Sequence, residues 1–131
     1  MAGKRMPEYL IESGIIAGYL ISESTMTKAL ETAMMEGICF TTALDAAELY
    51  YMAKTEKQKK AVDSVLRALK VLGINSRFVL GIERFSQKTD NWKDALFCEI
   101  ARINKLIILS TRKNYFAECG LDVVSPGDLG G

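Results

Sequence analysis

The chain contains no histidine, and that absence removes imidazole from every acid, base or metal-ligand role. Cysteine is scarce. Cys39, Cys98 and Cys119 lie far apart, without the short pair spacings of a metal knuckle, and the odd number leaves no complete set of disulfide pairs. They read as buried free thiols in a reducing compartment, so the expected location is the cytoplasm. No apolar stretch is long enough to cross a bilayer. The run from Tyr9 to Ile21, preceded by Lys4 and Arg5, imitates a signal peptide, but Glu12 places a carboxylate in the middle of it, where lipid burial is costly. A soluble protein with no membrane partner is expected. A surplus of charge is also missing: 17 Lys and Arg against 16 Asp and Glu give +1, so any nucleic-acid surface has to be a local cluster.

What is present suits a packed domain. With 49% hydrophobic and 25% charged residues over 131 positions, one domain spanning 1–126 is expected, followed by a flexible tail, 127–131, rich in glycine after Pro126. Short apolar runs alternate with helix-period segments, the pattern of an α/β domain built on a mainly parallel sheet of four or five strands. Strands are expected at Glu8–Ile11, Ile38–Thr42, Ile74–Val79, Leu106–Leu109 and Leu121–Val124. A helix capped by Ser13 runs through Tyr19, with Gly14 and Gly18 as a ridge for close packing on the sheet.

A second helix starts near Ser22 or Ser24, buries Met26, Leu30, Ala33 and Met34, and stops at Gly37. A third covers Leu44 to Ala53, with Asp45 available as its cap. From Thr55 to Leu72 the apolar residues Val62, Val65, Leu66 and Leu69 recur at helical spacing, with Gly73 as the stop. Glu56 and Asp63 share that segment with Lys57, Lys59 and Lys60, which therefore read as a solvated face. A short helix ends near Lys88, and Asp90 caps the next, which reaches about Asn104.

In open parallel sheets ligands gather beyond the carboxyl ends of the strands, where strand order reverses. Glu12 follows the first strand, Thr41 and Thr42 close the second, and Ser110, Thr111 and Arg112 follow the fourth. Glu48 and Asp94 fall in early turns of their helices, so strand-end and helix-start groups can share one cleft. An acid surrounded by Leu10, Ile11, Ile15 and Ile16 is expensive to bury unless a cation or an arginine pairs with it. Asp94 has a plainer account, because a negative charge in a first turn gains roughly 0.3–1 kcal/mol from the helix dipole alone. With only oxygen ligands on offer, a bound metal would be a hard cation such as Mg²⁺ or Mn²⁺.

The order of these residues resembles a known family. The segment from Tyr9 to Leu20 is similar to the opening strand and helix of PIN domains, the nuclease fold of VapC-type toxins. Thr41 to Tyr50 resembles the second motif, with Glu48 at its acid, and Asp94-Ala-Leu-Phe97 the third. Leu106 to Phe116 and Gly120 to Pro126 look like the last two strands. Together these segments span residues 8–126 in order, which is far more specific than any one short motif. The resemblance implies a three-layer α/β/α sandwich and an Mg²⁺- or Mn²⁺-dependent endoribonuclease that hydrolyses phosphodiester bonds.

Residue by residue, the resemblance makes Glu12 and Asp94 metal ligands and Glu48 a ligand or water-orienting base, with Ser13, Ser110 and Thr111 in support. Arg77, Arg84, Lys93 and Arg112 are candidates for RNA contact by charge and position. Implied partners are an RNA substrate, an antitoxin protein and a second copy of the chain. Two departures stand out: Glu12 replaces the family's first aspartate, and Arg112 stands near a fourth acidic or amide position. An arginine there cannot ligate a cation, but it can hold a phosphate or fill the metal's place. The rival reading is a PIN-like module that binds RNA or a partner protein without cutting.

Overall fold

From the amino end the chain runs β1 (Glu8–Ile11), α1 (Ser13–Leu20), α2 (Ser24–Glu36), β2 (Ile38–Thr42), α3 (Ala43–Met52), α4 (Glu56–Arg67) and β3 (Lys70–Leu72). It continues as α5 (Ser76–Leu80), a 3-10 turn (Ile82–Phe85), α6 (Trp92–Asn104), β4 (Ile107–Leu109), α7 (Lys113–Ala117), β5 (Val123–Val124) and a final 3-10 turn (Pro126–Asp128). This computed structural model describes residues 6–129. All five strands are parallel, in the order β3-β2-β1-β4-β5, with Tyr9 opposite both Cys39 and Ile107.

Strand order dictates where the helices go. The chain steps from β1 to β2 to β3 in one direction, then crosses back over β1 to reach β4. Right-handed crossovers therefore place α1 to α4 on one face and α5 and α6 on the other. Side-chain alternation follows: Tyr9 and Ile11 join Ile15, Leu30, Leu49 and Val65 on the first face, whereas Leu10 and Ile108 meet Phe78, Phe97, Ile100 and Phe116 on the second. The result is the expected α/β/α sandwich with a five-stranded sheet. The reversal lies between β1 and β4, so Glu12 and Ser110 stand at its carboxyl edge.

Several local expectations are corrected. The helix expected from Thr55 to Leu72 ends at Arg67, and Lys70–Leu72 is instead the third strand, paired with Phe40 to Thr42. Leu69 is buried in the same cluster as Val62, Val65 and Leu66, so the apolar spacing outlasts the helix that produced it. The strand expected at Ile74–Val79 is helix α5, because the Asn75 side chain accepts the backbone N–H groups of Arg77 (3.0 Å) and Phe78 (3.3 Å). Gly18 packs against α2 and not the sheet: a Cβ there would lie 2.0 Å from Met26 Sδ.

The segment to Phe116, which the family resemblance placed with the last strands, is helical: Lys113–Ala117 is α7. At the carboxyl end Ser125 and Asp128 form a capping box, and Lys113 holds Asp128 at 2.7 Å, so Pro126–Asp128 is an ordered turn where the sequence reads as a loose tail. Residues 130 and 131 of that expected tail lie outside the described residues. Cys39, Cys98 and Cys119 are buried free thiols.

Candidate functional site

Four carboxylates reach the carboxyl edge of the sheet from three places in the chain. Glu12 directly follows β1, Asp45 and Glu48 lie in the first half of α3, and Asp94 sits in the first turn of α6. Local capping sets each of them. Thr42, not Asp45, caps α3: its hydroxyl accepts the Asp45 N–H at 3.1 Å and donates to Asp45 Oδ2 at 2.9 Å. Asn91, not Asp90, caps α6 by accepting the Asp94 N–H at 2.8 Å, while its amide donates to Asp94 Oδ2 at 3.1 Å. Ser13 does not cap α1. Its hydroxyl is freed to donate to Glu48 Oε1 at 2.7 Å.

Two side-chain cations thread through these acids. Arg112 donates from Nη1 and Nη2 to the two oxygens of Asp94, each at 2.9 Å, and its Nη2 also bonds Glu12. The remaining Glu12 oxygen accepts from the Ser110 hydroxyl, which in turn accepts the Arg112 N–H at 2.8 Å. Tyr115 donates its hydroxyl to Asp94 Oδ2 at 2.8 Å, and the Arg112 guanidinium lies 4.8 Å from the Tyr115 ring centroid and 4.9 Å from that of Phe116. Lys93 forms the second bridge, to Glu48 at 2.7 Å and Asp45 at 3.3 Å.

Protonation follows from these contacts. Burial pushes Asp94 upward, but hydrogen bonds from Arg112, Tyr115 and Asn91 outweigh it and hold the acid below its ordinary value. Glu48 is lowered, chiefly by the Lys93 hydrogen bond and then by that of Ser13. Asp45 goes the other way: burial raises it, and Lys93 and Thr42 offset only part of that effect. Burial likewise raises Tyr115, to about 12.

Glu12, Glu48 and Asp94 thus belong to one connected edge, together with Ser13, Ser110, Lys93 and Arg112. Thr111 is exposed and joins none of these hydrogen bonds. Arg84 is spent elsewhere: with Arg102 it neutralises the buried Glu99, at 3.2 and 2.8 Å. Arg77, expected as an RNA contact, stands exposed on α5. Sequence reading missed Asp45 and Tyr115. The three-residue spacing from Asp45 to Glu48 was an available signal; Tyr115 had none, because its segment read as a strand.

A divalent ion needs several oxygen lone pairs directed at one point. Here Arg112 takes both Asp94 oxygens and one from Glu12, Ser110 takes the other, and Lys93 and Ser13 share Glu48 Oε1. Among the described residues no three acid or thiol groups stand so as to hold a metal. The arrangement does not fit the Mg²⁺ or Mn²⁺ that the resemblance implies.

No family model and no curated protein matches the sequence. Solved structures do. VapBC2 from Rickettsia felis, bound to a DNA fragment from its promoter, superposes with a TM-score of 0.77 at 15% identity, covering 90% of this chain and 98% of that one. A toxin-antitoxin complex from Klebsiella pneumoniae gives 0.76 at 17% identity, covering 90% and 97%. VapC20 from Mycobacterium tuberculosis, a toxin that cleaves the sarcin-ricin loop, gives 0.63 at 9% identity, covering 86% and 95%. At such identities the likeness speaks for the fold, and the fold of this chain is that of the PIN domains.

Proposed function

We propose that this protein is a non-cleaving PIN-fold module that binds a partner protein, its carboxylate edge closed by its own arginine and lysine. The observation that carries this reading is Arg112, whose guanidinium stands between Glu12 and Asp94 and engages both. Metal-assisted hydrolysis requires those oxygens to hold ions that activate water and neutralise the phosphate. In this arrangement they hold a guanidinium instead. Lys93 does the same for Asp45 and Glu48.

A protein partner is favoured over RNA on charge. Glu12, Asp45, Glu48 and Asp94 outnumber Lys93 and Arg112, so the edge stays net negative and repels a phosphate backbone. An apolar groove of about 200 Å³ opens between α1, α3 and α4, lined by Leu20, Ile21, Leu49, Met52 and Val62, with Ile21 79% and Met52 61% exposed. Exposed aliphatic surface of this kind suits a protein chain. Two of the similar structures are toxins held with antitoxins, which supports an antitoxin-like partner.

The test is a ribonuclease assay on structured and single-stranded RNA with Mg²⁺ and with Mn²⁺, run beside Asp94→Asn. No metal-stimulated cleavage is expected from either protein. Cleavage that requires metal and disappears in Asp94→Asn would overturn the closed-site reading and restore the metal-dependent endoribonuclease.

A further inference from the structure

We infer that a pocket at the start of α6 binds the guanidinium of an arginine on the protein partner, stacked on Trp92 and held by Asp90. The inference rests on the protein-partner reading above and adds a contact outside the bridged carboxylates. A cavity of about 270 Å³ lies between the 3-10 turn Ile82–Phe85 and α6, with Ile82 and Ala95 as its apolar walls and Ser86, Thr89, Asp90 and Trp92 around them. Trp92 is 65% exposed. An indole left in water beside a cavity is the kind of side chain that contributes most when a partner covers it.

The balance of donors and acceptors selects the ligand. The Ser86 hydroxyl donates its hydrogen to the Glu83 carbonyl at 3.0 Å and the Thr89 hydroxyl to the Phe85 carbonyl at 2.8 Å, so each has only oxygen lone pairs left for a ligand. Asp90 adds a carboxylate that no cation meets among the described residues, because Lys93 is engaged by Asp45 and Glu48, and Arg84 by Glu99. The Asn91 amide is turned to Asp94 through both its oxygen and its nitrogen. Acceptors thus dominate beside an indole face. Guanidinium matches them with five N–H donors in one plane that stacks on an aromatic ring, whereas an ammonium offers three donors and no flat face. The positive end of α6 opposes a cation, but it amounts to roughly half an elementary charge against the full charge of Asp90. A free amino acid would also bring a carboxylate that these acceptors repel, so the group fits as a side chain within a polypeptide.

Trp92 is the single tryptophan of the chain, so its fluorescence and its indole N–H resonance report on the pocket directly. The experiment titrates the full chain with three tripeptides blocked at both ends, each carrying arginine, lysine or citrulline between two glycines, and repeats the arginine titration on Asp90→Asn, with thermal melts of both proteins. The arginine peptide is expected to give a saturable shift with a dissociation constant of about 1–10 mM. Lysine should bind at least about threefold more weakly, and citrulline, which keeps the plane without the charge, should give no saturable shift. Asp90→Asn should melt as the wild type does and bind the arginine peptide at least about fivefold more weakly. Equal responses to arginine and citrulline, an unchanged response in a folded Asp90→Asn, or no saturable shift from arginine up to about 50 mM would each overturn the inference. Should Asp90→Asn fail to fold, the arginine and citrulline titrations of the wild type decide alone. Metal-dependent cleavage lost in Asp94→Asn overturns the closed-site reading whatever the peptides do, and a silent Trp92 in a protein that does not cleave overturns only the arginine contact.

Discussion

Arg112 and Asp94 meet through two parallel N–H to oxygen bonds of 2.9 Å, a fork-to-fork pairing that locks the end of β4 to the first turn of α6. Asp94 is largely buried, while the Arg112 side chain is 39% exposed. The pair lies between the most buried ion pairs, where loss of one partner is severe, and surface pairs, which contribute little.

Arg112→Ala should therefore destabilise the fold by roughly 2–3 kcal/mol, below the range for fully buried pairs because of that exposure. Arg112→Lys should recover only part of the loss, since an ammonium cannot engage both Asp94 oxygens in one plane. Urea denaturation of the three proteins measures this. Equal midpoints for wild type and Arg112→Ala would show that the bridge adds nothing to stability.

Acid should loosen the protein through Asp94 and Glu48. Both have folded values below their ordinary 3.8 and 4.5, so each contributes stability that is complete above those values and is lost as pH falls through the lower folded ones. Melting temperature should fall on acidification below about pH 4, and Asp94→Asn should flatten that fall. An unchanged acid limb in the variant would remove Asp94 from the account.

Asp45 has the opposite sign. It is raised by burial, 1% exposed, and the charge it does carry is met by Lys93 and Thr42. Lys93→Met should strand that carboxylate and cost roughly 2–3 kcal/mol at neutral pH. The deficit should shrink on acidification, because protonating Asp45 removes the unpaired charge, and stability should decline again as pH rises. A deficit independent of pH would point to lost packing of the lysine stem.

Tyr115 links three pieces of chain. Its hydroxyl accepts the Asp90 N–H at 2.7 Å and donates to Asp94 at 2.8 Å. Tyr115→Phe should cost about 1–2 kcal/mol, the scale for bonds that involve a charged partner and a backbone group. Absorbance titration supplies a second reading: the tyrosine that ionises near 12 should vanish from the titration.

The backbone order of the site was legible because strand-end and helix-start positions follow from apolar runs. Glu12 after β1, Ser110 and Arg112 after β4, and Asp94 at the opening of α6 are all readable as positions along a parallel sheet. What the residues do to one another was less legible. Ser13 looked like a cap and became a donor to Glu48; Asp45 looked like a cap and became a buried acid, because Thr42 one turn earlier does the capping. Hydroxyl residues beside a helix start compete for the same orphan N–H groups, and sequence alone does not rank them. Strand β3 was hidden by Leu69, whose burial prolongs the rhythm of α4 past its last turn.

Glu12 and Arg112 are separated by 100 positions in the chain. During synthesis the first acid emerges long before its counterpart, and closing so large a loop costs entropy that only the nearly finished polypeptide can repay. A nascent chain halted after α6 would carry Glu12 and Asp94 without the Arg112 that bridges them. The last strands of this protein thus decide when its negatively charged edge becomes tolerable, and a carboxyl-terminal truncation before Ser110 should leave the whole sandwich unable to settle.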